Sequence, residues 1–295
     1  MNKRILSRWF SLLNVDYVKL GTKWNYACVI SPYYRLYYID DGNGTISGSN
    51  TTLTLQKGYI YLIPSFTLCN LKCENTLGQY FIQFFEESAD GISLFQNNRE
   101  PMKILASELD IAIFKRLLKV NPGRGINRSD NPEIYEKNIY YKEYQELNNR
   151  QSVATQMETQ GIIQQLLSRF LNSSTFKKKE HEPIPSTVLN AVSYIQINLK
   201  NQLRVIDLAK RANQHPDYFS RLFLKHMGTR PITYINEKRI ERAQYLIITT
   251  HISLDQVAVE VGYDTTPYFS KIFKKITGLT PGKYTVQNKS YSDLG

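Results

Sequence analysis

Apolar positions along the chain change their period near residue 100. Before about residue 88 they alternate with polar ones, as in "YYRLYYIDDGNGTISGSNTTLTLQKGYIYLIPSF" (33–66) and "GQYFIQFFEES" (78–88). Tyrosine, phenylalanine and β-branched residues are dense there, and Gly42-Asn43-Gly44, Gly48, Gly58 and Pro64 punctuate them as turn signals. Alternation broken at this interval predicts an antiparallel sandwich or barrel. Past residue 100 the spacing lengthens to three and four residues. "SELDIAIFKRLLKV" (107–120) and "ATQMETQGIIQQLLSRFLN" (154–172) predict amphipathic helices, with "NPGRGINRSDNPE" (121–133) as a loop. The polar stretch "NSSTFKKKEHEPIPS" (172–186) has little to bury and two prolines to stiffen it, so it reads as a linker. It divides a first domain, residues 1–171, from a second, 187–295. The second domain has helical spacing to about residue 285, which makes the chain an α+β protein of two domains.

Within the second domain one text occurs twice. "YFSRLFLKHMGTRPITY" (218–234) returns fifty residues later as "YFSKIFKKITGLTPGKY" (268–284), identical at eight of seventeen positions. Each copy follows a shorter helical pattern: Val205, Leu208, Ala209 and Ala212 in the first, Leu254, Val257, Ala258 and Val261 in the second. Two helices crossing closely need a small side chain at the contact, which Ala209 and Ala258 supply. Asn213 and Gly262 follow, residue types that tolerate the positive φ of a sharp turn. Phe219, Leu222 and Phe223, or Phe269, Ile272 and Phe273, give the second helix its apolar face. Gly228 and Gly278 stop it, with Pro231 and Pro281 three residues on. This is the grammar of a helix-turn-helix, written twice, with one residue more in the second turn. A helix over 231–249 would join the copies and span roughly 28 Å, against about 34 Å for one turn of B-DNA. That size suits two recognition helices in successive major grooves.

Charge sharpens the reading. The net charge is +11; residues 186–295 hold 15 Lys and Arg against 8 Asp and Glu, so the doubled unit sits in the basic part and calls for a polyanion partner. The exposed face of the first recognition helix carries His215, Asp217, Ser220, Arg221 and Lys225; the second carries Thr265, Thr266, Ser270, Lys271 and Lys274. Short polar and basic side chains there can reach base edges and phosphates. Tyr218 and Tyr268 are read as packing residues. No apolar run approaches the roughly 20 residues of a membrane span. The N-terminal "MNKRILSRWFSLLNVDYVKLG" lacks a cleavage site, and Cys28, Cys69 and Cys73 do not form a disulfide framework, so a cytoplasmic protein is expected.

At these residues the chain resembles the AraC/XylS family of bacterial transcription regulators, most closely in "ISLDQVAVEVGYDTTPYFSKIFKKITGLTPGKY" (252–284). The resemblance spans about 187–286. It implies a seven-helix domain that binds double-stranded DNA through the second helix of each unit, with Asp217, Ser220 and Arg221 reading in one and Thr265, Thr266, Ser270 and Lys271 in the other. More weakly, "DDGNGTI…LQKGYIYLIP" resembles the cupin-like β-sandwich that many members place ahead of it. Such a domain serves as an effector pocket or a dimerisation scaffold, and an activator would also engage RNA polymerase. The chain's four histidines all lie beyond residue 180, which excludes a His-based metal site in the barrel and argues against the alternative, a cupin-type enzyme with a DNA-binding appendage. No cofactor is expected. Helix 156–171, with Met157, Ile162, Ile163, Leu166, Leu167 and Phe170, is read as the seam of a homodimer in preference to a helix packed on its own sheet.

Overall fold

The structure, a computed structural model, describes residues 8–48, 50–88, 93–95, 98–125, 138–171 and 184–288. The expected linker falls almost wholly outside them. Residues 8–87 and 98–171 belong to one compact unit, residues 184–285 to another.

The first unit is built on seven strands: β1 (Arg8–Gly21), β2 (Asn25–Val29), β3 (Tyr34–Ser47), β4 (Thr52–Gln56), β5 (Tyr59–Ile63), β6 (Cys69–Ser88) and β7 (Met102–Leu105). They form one hydrogen-bonded sheet in the order β1-β6-β3-β5-β7, with β2 on β6 and β4 on β3. The pairs of β3 with β4, β5 and β6 are antiparallel, as the alternation predicts. Gly42-Asn43-Gly44 departs from its expected role. It is a bulge inside β3, where the register against β6 slips between Ile39 and Asp41 and again between Gly42 and Gly44. Gly42 has φ +72°, and a Cβ on it would lie 1.9 Å from the Thr76 carbonyl oxygen. Glycine is required here by the close approach of a neighbouring strand, which lets a long strand bend. Both faces of Tyr34–Ile39 are buried. Tyr37 and Ile39 join Trp24, Leu55, Tyr61, Leu71 and Phe81 in one core cluster.

Among the described residues three helices accompany the sheet: α1 (Glu108–Val120), α2 (Asn138–Arg150) and α3 (Val153–Leu171). Ser107 and Asp110 form a capping box that starts α1. The second helix is absent from the periodicity reading, because polar residues outnumber apolar ones in "NIYYKEYQELNNR". The expected dimer seam on α3 is corrected. Ile162, Ile163, Leu166, Leu167 and Phe170 are buried within their own unit, and α3 lies against β1, β7 and α1. Only Met157 of that set is exposed. Spent on its own sheet, this apolar stripe is not available to a second chain.

Instead, α3 has a different task. The Gln160 carboxamide accepts from the Phe10 N–H at 2.9 Å and donates to the Phe10 carbonyl, as a neighbouring strand would. Farther along β1, Arg124 donates to the Leu12 and Leu13 carbonyls at 3.2 and 3.3 Å, and Asn148 donates to Leu12 at 2.9 Å. Burial draws the Arg124 guanidinium down to about 10; at neutral pH it stays charged. Side chains thus cover the backbone of an edge strand, which removes a template for further pairing. Replacing Gln160 by Ala leaves two buried backbone groups unpartnered and is expected to cost about 1–3 kcal/mol. Both tryptophans, Trp9 and Trp24, lie in this unit. Urea unfolding followed by tryptophan fluorescence therefore reads the loss directly.

Candidate nucleic-acid interface

The second unit has seven helices among its described residues: α4 (Ser186–Ile197), α5 (Val205–Arg211), α6 (Pro216–Met227), α7 (Pro231–Thr249), α8 (Leu254–Glu260), α9 (Thr266–Thr277) and α10 (Pro281–Asn288). The doubled text maps onto doubled geometry. Helices α5 and α8 have seven residues each, and α6 and α9 have twelve. Ala209 and Ala258 are buried where expected. Asn213 and Gly262 stand two residues past their helices with φ of +51° and +89°. In each turn a backbone bond spans five residues, from the Gln214 N–H to the Ala209 carbonyl (3.0 Å) and from the Tyr263 N–H to the Ala258 carbonyl (2.9 Å). This is the Schellman closure that a left-handed residue makes possible. Gly228 and Gly278, at φ +75° and +80°, end the second helices with a simpler left-handed cap, each N–H bonding four residues back to the Leu224 or Lys274 carbonyl.

Packing extends the repeat beyond the helix pair. Phe219 touches Phe223 and Phe223 touches Tyr234, at ring-centroid distances of 5.8 and 5.4 Å. Phe269, Phe273 and Tyr284 repeat this at 5.6 and 5.4 Å. All six rings are buried, and each anchoring tyrosine sits in the first turn of the helix that follows, α7 or α10. Removing any one of the phenylalanines would cost about 3–5 kcal/mol. These wedges orient the opposite faces of α6 and α9 outward.

On those outward faces the structure places the residues singled out by sequence. Arg221, Lys225, Lys271 and Lys274 are exposed, while Ser220 and Ser270 are half-buried at equivalent positions. Arg221 Nε lies 3.4 Å from the Asp217 carbonyl of its own helix, and Lys271 and Lys274 form no ion pair among the described residues. Asp217 is exposed in the first turn of α6, where a carboxylate favours the helix dipole; its N–H donates to the ring of His215, the N-cap residue. Thr265 is exposed and makes no side-chain cap bond. Thr266 Oγ1 donates to Asp255 Oδ1 at 2.5 Å and ties α9 to α8. The structure corrects one reading. Tyr218 and Tyr268 do not disappear into the core but stand 53% and 52% exposed, at the same position of each recognition helix. Both sites are therefore polar, basic and aromatic along a helix edge of similar length.

Copy one has a supporting helix, α4, whose Val188, Val192 and Ile195 join Leu208, Phe219 and Phe223 in one cluster. For copy two α7 takes that place, touching α8 and α9. It also touches α6, so it serves both units at once. This explains why ten of its nineteen residues are buried, among them Lys238 and Gln244. Lys238 donates to Glu241 at 2.8 Å.

The two turns share a backbone conformation and differ in surroundings. A Cβ on Gly262 would stand 2.4 Å from the Leu199 carbonyl oxygen. Asn213→Gly is therefore expected to be neutral or to raise the melting temperature slightly, since it relieves a left-handed residue. Gly262→Asn should lower it by several degrees, although both residues suit a positive φ. Thermal melts by circular dichroism compare the two.

Residues 208–287 match the family model of a helix-turn-helix domain. The arabinose operon regulatory protein of Salmonella typhimurium is 30% identical over 125 residues, 42% of this chain and 44% of that protein. The match thus spans less than half the length of that relative. The raffinose operon transcriptional regulatory protein of Pediococcus pentosaceus is 26% identical over 257 residues, 85% of this chain and 84% of its own. A crystal structure of apo ToxT from Vibrio cholerae shares the fold over 96% of this chain and 98% of its own, with a TM-score of 0.55 at 12% identity.

Proposed function

We propose that this chain, which belongs to the AraC family through its C-terminal helix-turn-helix domain, regulates transcription by gripping two boxes of one DNA duplex. The observation that carries the reading is the pair of recognition helices with matched caps, matched wedges and matched outward faces, joined by a single helix of nineteen residues. In this reading Arg221 and Lys225 work in one groove and Lys271 and Lys274 in the next. Asp217, Ser220, Thr265, Thr266 and Ser270 supply shorter contacts to bases and sugar–phosphate. Thr266 would do so through its acceptor lone pairs, because its proton is committed to Asp255.

The N-terminal domain makes this binding conditional, through a small-molecule effector or through assembly of two chains. Support comes from the match to a raffinose operon regulator over 85% of this chain, which reaches into both domains. An activator of this kind engages RNA polymerase from the promoter-bound state. Where two chains pair, they use a surface other than the apolar stripe of α3.

Arg221→Ala is expected to weaken protection of one box and Lys271→Ala of the other, each by about 1–3 kcal/mol if the side chain reads a base. Footprinting on duplexes selected by the wild-type protein measures this. Loss of the same box in both variants contradicts the two-groove arrangement. Binding should also fall steeply with salt, since several phosphates are neutralised at once.

A further inference from the structure

The two helix-turn-helix units are not merely tethered by α7; a side chain in the middle of that helix clamps them. Arg239 Nε donates to the Leu199 carbonyl at 3.0 Å, and its Nη2 donates to the Asn201 carbonyl at 2.8 Å. Those carbonyls belong to the segment between α4 and α5 that leads into the first unit. The same guanidinium lies 5.3 Å from the centre of the Tyr263 ring, in the turn of the second unit. A Cβ on Gly262 would be 2.8 Å from Nη2.

Tyr263 carries the connection onward. Its hydroxyl donates to Asn236 Oδ1 on α7 at 3.1 Å, and its ring contacts Phe269 (5.6 Å) and Tyr268 (5.9 Å) on the second recognition helix. Nearby, Lys200 and Glu260 form an ion pair at 2.8 Å between the same two regions. That pair is exposed and contributes little. The guanidinium is half-buried, and burial pulls its pKa down while Tyr263, Asp264 and Tyr268 oppose the shift. Its planar fork satisfies two carbonyls and stacks on a ring at once, which an ammonium cannot do.

We infer that Arg239 is a positioning residue: it fixes the distance and rotation between the two recognition helices, and so sets which spacing of DNA boxes the protein accepts. The inference rests on the two-groove reading above. The repeat itself supports it. In the first turn the residue corresponding to Tyr263 is Gln214, half-buried, with no ring to place beneath a cation. The second turn faces the first unit's lead-in segment, and there the repeat has an aromatic ring beneath the Arg239 guanidinium.

The test uses the full chain and duplexes selected by it, with the inter-box spacing changed by one or two base pairs in either direction. Each inserted pair rotates one box by about 34–36° relative to the other. The wild-type protein should lose about tenfold or more in affinity per step, as expected when one recognition helix leaves its groove. Arg239→Lys and Arg239→Met should bind the selected spacing less tightly while losing less at altered spacings, so that the profile flattens. Protection of a duplex with one box scrambled should stay near wild type, because no contacting residue is changed. A folded variant with the sharp wild-type profile overturns the assignment. So does equal loss on one-box and two-box duplexes, or collapse of both variants by circular dichroism, which would make the residue a folding requirement. A wild-type protein indifferent to spacing sinks the two-groove reading itself, and Arg239's role with it.

Discussion

The backbone hydrogen bond that spans five residues in each turn, from Gln214 to Ala209 and from Tyr263 to Ala258, is the constraint on which the second domain depends. It closes only if the intervening residue is left-handed, which Asn213 and Gly262 allow. Once closed, it returns the chain across the helix it has just left. Alanine at the carbonyl end leaves room for that return, and any larger side chain would hold the second helix away. Buried phenylalanines then fix the rotation of the recognition helix about its own axis, and thereby which residues face outward.

The structural repeat is longer than the helix pair. Tyr234 and Tyr284 close aromatic wedges of the same dimensions, so each unit includes the first turn of the helix after it. Helix α7 consequently has two roles: its N-terminal turn completes the first unit and its body supports the second. A helix shared in this way cannot bend or rotate without disturbing one wedge or the other. Arg239 adds a lateral strut at its middle. In the two-groove reading, rigidity between the two recognition helices turns the second binding event into an intramolecular one, with the gain lost wherever geometry forbids both contacts.

In the first domain, polar side chains do the work of a missing strand. Gln160, Arg124 and Asn148 satisfy the outer backbone of β1 from helices and a loop. The same packing consumes the apolar stripe of α3. An edge closed this way and a helix face filled this way are both occupied within the domain itself.

The chain's own text determined the doubled unit almost completely. Local grammar settles it: the small residue, the left-handed residue, the apolar triplet and the glycine stop are all within thirty residues of one another, and each is dictated by backbone sterics. The exposed faces of α6 and α9 follow from periodicity for the same reason. Three features were decided only by tertiary packing. Gly42-Asn43-Gly44 reads locally as a turn, yet β6 presses on it and makes it a bulge. The stripe on α3 has the same spacing whether it meets a sheet or a second chain, and only the position of β1 chooses. Arg239 looks like any surface arginine on an amphipathic helix. Its partners lie some forty residues before it and some twenty-four after it in the chain, and no period of two or 3.6 residues can encode a meeting of that kind.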